Sequence, residues 1–157
     1  MAIEIERKFL VINDLWKAQV QSETRLQQGY FTEGKTRSIR VRTGNNKAFL
    51  NIKSKLDEQG MQRLEFEYEI PLADAQIMLN KVVLKPIIDK IRYKVLHTGM
   101  IWDLDVFAGD NQGLIMAEIE LDDINQPFDL PAWAGVEVSD DHRYYNTNLI
   151  SHPYKQW

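Results

Sequence analysis

Seven runs of the chain alternate apolar and charged residues with a period of two, the mark of a β-strand with one apolar and one charged face. Ile3 and Ile5 alternate with Glu4, Glu6 and Lys8, and Ile39 and Val41 with Arg40 and Arg42. Leu50 and Ile52 flank Asn51 and Lys53, and Leu64, Phe66, Tyr68 and Ile70 alternate with Arg63, Glu65, Glu67 and Glu69. Ile91, Tyr93 and Val95 alternate with Lys90, Arg92 and Lys94, Trp102, Leu104 and Val106 with Asp103 and Asp105, and Ile119 and Leu121 with Glu118 and Glu120. An eighth strand is expected through residues 25–31.

Short turn signals separate these runs at Thr43-Gly44-Asn45-Asn46, His97-Thr98-Gly99 and Gly109 to Gly113, which makes neighbouring strands antiparallel. Helices are expected in three places: a short one capped by Asn13, one over residues 72–83 after Pro71, and one from Ser139 to about Ile150. The class is β-rich α+β. The 157 residues contain no flexible linker and no repeat, so residues 1–157 read as a single domain.

An open antiparallel sheet with one wet face is the ordinary explanation of such alternation. Two features oppose it. Asp, Glu and Lys are disfavoured in strands, yet they recur in pairs and triples on one face. Thr and Ser, the common residues of a solvated face, are nearly missing from it. The pattern points instead to a sheet curled into a barrel, charges inward and helices packed outside. Like charges cluster along each strand: Arg40 with Arg42, Lys90 with Arg92, Glu4 with Glu6, Glu118 with Glu120. Clustered arginines suit phosphate oxygens, and clustered carboxylates suit a hard divalent cation. Together they describe a metal–polyphosphate site.

Overall composition narrows the alternatives. The net charge of −4 argues against a generic duplex-binding domain, so no nucleic-acid partner is expected. No apolar run approaches the roughly 20 residues that cross a bilayer, so no membrane role is expected either. The N-terminus carries no secretory pattern, and there is no cysteine to form a disulfide or a thiolate site, which suits a cytoplasmic location. His97, His142 and His152 lack metal-ligand spacing, and no serine stands in a histidine–acid signature.

Glu4-Ile5-Glu6-Arg7-Lys8 resembles the E-x-E-x-K signature of the CYTH superfamily, the triphosphate tunnel metalloenzymes. The resemblance extends in order through Arg40-Val41-Arg42, the Lys53 strand, Arg63-Leu64-Glu65-Phe66-Glu67, Lys90-Ile91-Arg92-Tyr93, Asp103-Leu104-Asp105, Glu118-Ile119-Glu120 and Arg143-Tyr144. In length the chain is similar to the short bacterial inorganic tripolyphosphatases. The resemblance implies a closed eight-stranded antiparallel β-barrel, or tunnel. It also implies hydrolysis of a triphosphate with Mg²⁺ or Mn²⁺.

Carried over position by position, Glu4, Glu6, Asp103, Asp105, Glu118 and Glu120 would hold metal. Lys8, Arg40, Arg42, Lys53, Arg63, Lys90, Arg92 and Arg143 would hold phosphate oxygens. Glu65 and Glu67 would bind a second metal or orient water, and Lys53 is an alternative aid to water activation. Tyr30 resembles a tyrosine near the tunnel, with plain packing as its other reading. His142 departs from the residue common in relatives before the Arg-Tyr pair. Adenylate cyclisation, thiamine-triphosphate hydrolysis and polyphosphate binding without turnover are the competing functions. The expected assembly is a monomer or homodimer.

Overall fold

The computed structural model describes residues 3–33, 36–58 and 61–157. Among them nine strands form one antiparallel sheet: β1 (Ile3–Val11), β2 (Val20–Tyr30), β3 (Arg37–Gly44), β4 (Lys47–Lys55), β5 (Gln62–Ile70), β6 (Ile88–His97), β7 (Met100–Phe107), β8 (Ile115–Leu121) and β9 (Ala134–Glu137). They follow the order β5-β4-β3-β2-β6-β7-β8-β1-β9. A further pairing of β5 with β1 closes the first eight into a barrel, in register from Ile3 opposite Leu64 to Ile5 opposite Gln62. The eight-stranded barrel implied by the resemblance, and the curled sheet expected from the charge pattern, are therefore present, and β9 is an addition. It lies along the far half of β1, with Phe9 opposite Glu137 and Val11 opposite Ala134.

Two hairpins set the register of opposite walls. Asn45 and Asn46, at φ 52° and 59°, turn β3 into β4. Thr98 and Gly99, at φ 47° and 79°, turn β6 into β7. Both pairs have the positive φ values that two-residue hairpin loops require.

Much of the apolar packing lies outside the barrel. Trp102, fully buried on β7, meets Phe9, Phe128 and Trp133 edge to face, and these rings with Leu104, Ala117 and Ile119 roof the β6–β7–β8 side. Such aromatic pairs add about 0.5–1.5 kcal/mol each beyond the area they bury. Helix α1 (Leu72–Lys81) sets Ala75 and Leu79 against Val41 of β3 and Ala48 of β4. A third cluster, with Ile88, Phe107 and Met116 at the strand ends, packs against helix α2 (Asn146–Ser151) through Leu149 and Ile150.

Close packing also restrains β2. A Cβ at Gly29 would stand 2.5 Å from Val83 Cγ2, so the strand lies flat against the segment after α1 only because this residue has no side chain.

Two helix expectations change. Residues Leu15–Gln19 form a 3₁₀ turn, with Asn13 Oδ1 accepting from the Leu15 amide. The helix expected from Ser139 begins only at Asn146. Ser139 is spent elsewhere: its hydroxyl accepts from the Lys8 amide at 3.0 Å and donates to Glu137 at 2.7 Å. Asp141 accepts from the Arg143 amide at the head of a separate 3₁₀ turn, His142–Tyr144.

Candidate active site

Because alternate residues of a strand share a face, closing the sheet turns all the charged faces onto one space. A cavity of about 260 Å³ results, lined from seven strands by Glu4, Glu6 and Lys8 of β1, Arg40 and Arg42 of β3, Lys53 of β4, Arg63, Glu65 and Glu67 of β5, Arg92 of β6, Asp103 of β7, and Glu118 and Glu120 of β8. Tyr30 of β2 lines it as well.

The charges are segregated within this space. On the acidic side, Glu6 lies directly across from Glu120 and Lys8 across from Glu118. Lys8 Nζ sits 3.5 Å from Glu6 and 3.7 Å from Glu118. Burial disfavours the lysine's charge, yet these two carboxylates hold its pKa above the ordinary value. Glu120 is pushed up, first by burial and then by its anionic neighbours Glu4, Glu6 and Asp103. This corner carries more negative charge than its lysines offset.

On the basic side the imbalance is reversed. Arg42 is lowered to about 10 by burial and by the neighbouring charges of Arg40 and Arg92. It remains a cation at neutral pH, crowded by two others. Lys53 Nζ stands 2.8 Å from Glu4 Oε2 and 3.9 Å from Glu65. Burial raises Glu65, but a hydrogen bond with Glu4 and the charges of Lys53 and Arg40 bring it below the ordinary carboxylate value. The Tyr30 hydroxyl accepts from Gln28 Nε2 at 3.2 Å and hydrogen-bonds Arg40.

Three expected site residues do not reach the cavity. Lys90 and Asp105 are each 1% exposed and lie beneath its wall. Asp105 is engaged there as an anchor: it accepts from Lys90 Nζ at 2.7 Å and takes Arg92 bidentately at 2.8 and 2.9 Å. Arg143 lies on the outside, its guanidinium bound to Asp141 at 2.7 Å and stacked near Tyr144 and Trp157. The next aromatic position supplies the contact instead. Tyr145 lines the cavity with its ring 5.4 Å from Lys8 Nζ and 5.2 Å from Arg63 Cζ, and Asn146 and Thr147 follow it.

Several lining residues stand outside the set carried over from the resemblance. Ser38 and Lys55 continue the inward periods of β3 and β4 to the strand ends, and Arg37, out of that phase, lines the cavity at the start of β3. Lys94 lines the wall and bonds Asp103 at 2.5 Å. Asn51, a lone neutral residue among charged ones, gave no signal by residue type.

Among the described residues, no three Asp, Glu or His side chains converge closely enough to hold a metal as they stand, because lysines and arginines engage them. The donor set nevertheless suits a hard divalent cation, being made of carboxylate oxygens. Both oxygens of the buried Glu4 carboxylate face Lys53 Nζ, Oε2 at 2.8 Å and Oε1 at 3.2 Å, so a cation already occupies this oxygen pair. The mutually repelling Glu4, Glu6, Asp103 and Glu120 provide the negative charge such an ion requires.

A closed β-barrel whose interior divides into a carboxylate corner and an arginine–lysine wall defines a class of protein built to take a polyanion together with a cation. The CYTH domain model matches residues 2–152, and the chain belongs to that family. It is 44% identical over 157 residues to an inorganic triphosphatase of Acetivibrio thermocellus, covering all of this chain and 99% of the relative. It is 37% identical over 151 residues to an inorganic triphosphatase of Nitrosomonas europaea, covering 93% and 95% of the two chains. The crystal structure of the inorganic triphosphatase NE1496 superposes with a TM-score of 0.65 at 35% identity, covering 96% of this chain and 95% of that one.

Proposed function

We propose that this chain is a metal-dependent triphosphatase that hydrolyses inorganic tripolyphosphate and releases the terminal phosphate as orthophosphate. The observation that carries the reading is the pairing of two unbalanced poles in one cavity: arginines that repel one another beside carboxylates that do the same. A polyphosphate relieves the first pole and a divalent cation the second. Both relatives named above carry the name of this activity.

Arg40, Arg42, Arg92, Lys8, Lys53 and Arg63 would take the phosphate oxygens. Their charge counts most as negative charge moves onto the departing pyrophosphate. Glu65, kept ionised by its cationic neighbours, accepts a hydrogen bond from the attacking water and aligns it with the terminal phosphorus. Glu67 extends this acidic row. Tyr30, whose oxygen already bonds Gln28 and Arg40, directs its own proton toward a phosphate oxygen. Glu4, Glu6, Glu118, Glu120 and Asp103 would hold Mg²⁺ or Mn²⁺, which would supply positive charge to the phosphate oxygens and lower the pKa of bound water.

The lining favours an inorganic substrate over a nucleotide or thiamine triphosphate. Its aromatic residues among those described are Tyr30 and Tyr145, and Tyr145 is already stacked against two cations. Among the described residues no apolar slot for a base adjoins them. The deciding experiment measures phosphate release from tripolyphosphate, ATP and thiamine triphosphate at equal concentration with Mg²⁺, with Mn²⁺ and with EDTA. The expected result is fastest turnover of tripolyphosphate, abolished by EDTA. Absence of phosphate release from tripolyphosphate with either metal refutes the proposal.

A further inference from the structure

Asn51 sits at the centre of β4 with no exposed surface, behind the side chains that line the cavity. Its direct cross-strand neighbours are Arg40 on β3 and Glu67 on β5. The amide nitrogen donates to Glu67 Oε2 at 2.7 Å and to Glu65 Oε1 at 3.2 Å, while the amide oxygen accepts from Arg40 Nε at 3.4 Å. This orientation follows from the partners, because an ionised carboxylate can only accept and a guanidinium can only donate.

We infer that Asn51 is a positioning residue, a neutral spacer that keeps the Arg40–Arg42 pair and the Glu65–Glu67 pair from neutralising each other. The inference rests on the reading of the cavity as a tripolyphosphate site. Strands two apart in a sheet are separated by roughly 9.5 Å, a gap that an arginine and a glutamate bridge easily when a short residue lies between them. The approach has already begun, with Arg42 Nη2 standing 3.7 Å from Glu67 Oε2. An arginine bound bidentately to a carboxylate has committed the donors that would otherwise take phosphate. The other wall shows that outcome, since Arg92 faces Asp105 across adjacent strands and is clamped by it. By giving each glutamate an amide hydrogen and Arg40 an amide oxygen, Asn51 satisfies both groups and leaves their charges apart. The cations then stay available to a ligand.

Titration calorimetry with tripolyphosphate in EDTA tests this without any turnover. Asn51→Ala is expected to weaken binding about tenfold, and Asn51→Asp, which adds a carboxylate facing Arg40, to weaken it further. Asn51→Ser, whose hydroxyl can serve one partner, should fall between Ala and the parent and serves if Ala does not fold. Adding Glu67→Gln to the Ala or Ser variant removes the captor and is expected to recover most of the lost affinity, a gain several-fold larger than Glu67→Gln gives in the parent; a merely structural role for Asn51 would make the two gains equal. Melting temperatures recorded alongside separate binding loss from unfolding. Unchanged affinity in the Ala or Ser variant, no recovery in the double variant, or no tripolyphosphate binding by the parent overturns the inference. A parent that binds in EDTA and fails to hydrolyse with metal removes the enzymatic reading and leaves the spacer role standing.

Discussion

On the β3–β4–β5 wall, Arg40 and Arg42 face Glu65 and Glu67 across a strand whose central residue is the neutral Asn51, and the guanidinium groups line the cavity. On the β6–β7–β8 wall, Lys90 and Arg92 face Asp105 directly, and the lysine and aspartate are buried out of reach. Both walls alternate charge and apolarity in the same way, but they use the charge differently. In the proposed function, the first keeps its cations in reserve for the substrate. The second commits them to holding the barrel together and leaves Arg92 as the one of its three anchor residues that reaches the cavity. The lesson is that a buried carboxylate beside a catalytic-looking arginine can be scaffold, and that one amide can mark where it is not.

The strongest challenge to this division is Asp105→Ala. It leaves the buried Lys90 and the half-buried Arg92 without their shared counter-charge, which costs about 3–5 kcal/mol, and denaturant unfolding should read that loss. A small change would mean that the second wall is not structural. Next in size is Arg42→Ala. Removing one preorganised donor to developing charge lowers kcat/KM for tripolyphosphate about 100-fold, with little change in melting temperature, and steady-state phosphate release checks it.

Lys90 offers a pH test. Two cations share Asp105, and Arg92 takes it bidentately, so burial brings the lysine down to about 8 from an ordinary 10.5. The unfolded chain then binds this proton more tightly than the fold does. Stability owed to Lys90 therefore rises with pH between about 8 and 10.5, at up to about 1.4 kcal/mol per pH unit. Unfolding midpoints across that range should show the rise in the parent and lose it in Lys90→Met.

The smallest effect concerns the hairpins. Thr98 on the second wall holds a positive φ that suits Asn better than a β-branched residue. Thr98→Asn should raise the melting temperature slightly without altering turnover, bringing this turn closer to the Asn45-Asn46 turn of the first wall. Thermal unfolding together with phosphate release would check both halves.

The barrel was legible because its charged residues fall at every second position in strand after strand, which sets each inward face without ambiguity. The cavity residues on β1, β3, β5 and β8 came with it. What escaped notice has physical causes. Strand β9 is four residues long and contains Gly135, too little to show a period. Ser139 and Asp141 look like a helix start, but one hydroxyl serves the Lys8 amide and the other side chain caps a 3₁₀ turn, so α2 begins later. That delay places Tyr145, rather than Arg143, over the cavity. Asp105 and Lys90 share the alternation of true lining residues and differ only in depth, which a period of two does not encode.

Gly29 bears on the proposed site without lining the cavity. Its missing side chain lets β2 press on Val83, and the neighbours on either side are Gln28 and Tyr30, which point inward to share a hydrogen bond. Any bulk added at position 29 lifts this stretch of strand and carries the tyrosine with it. A mutational survey scored on catalysis alone would mark Gly29 as intolerant, and a search for contacts with substrate would pass it by.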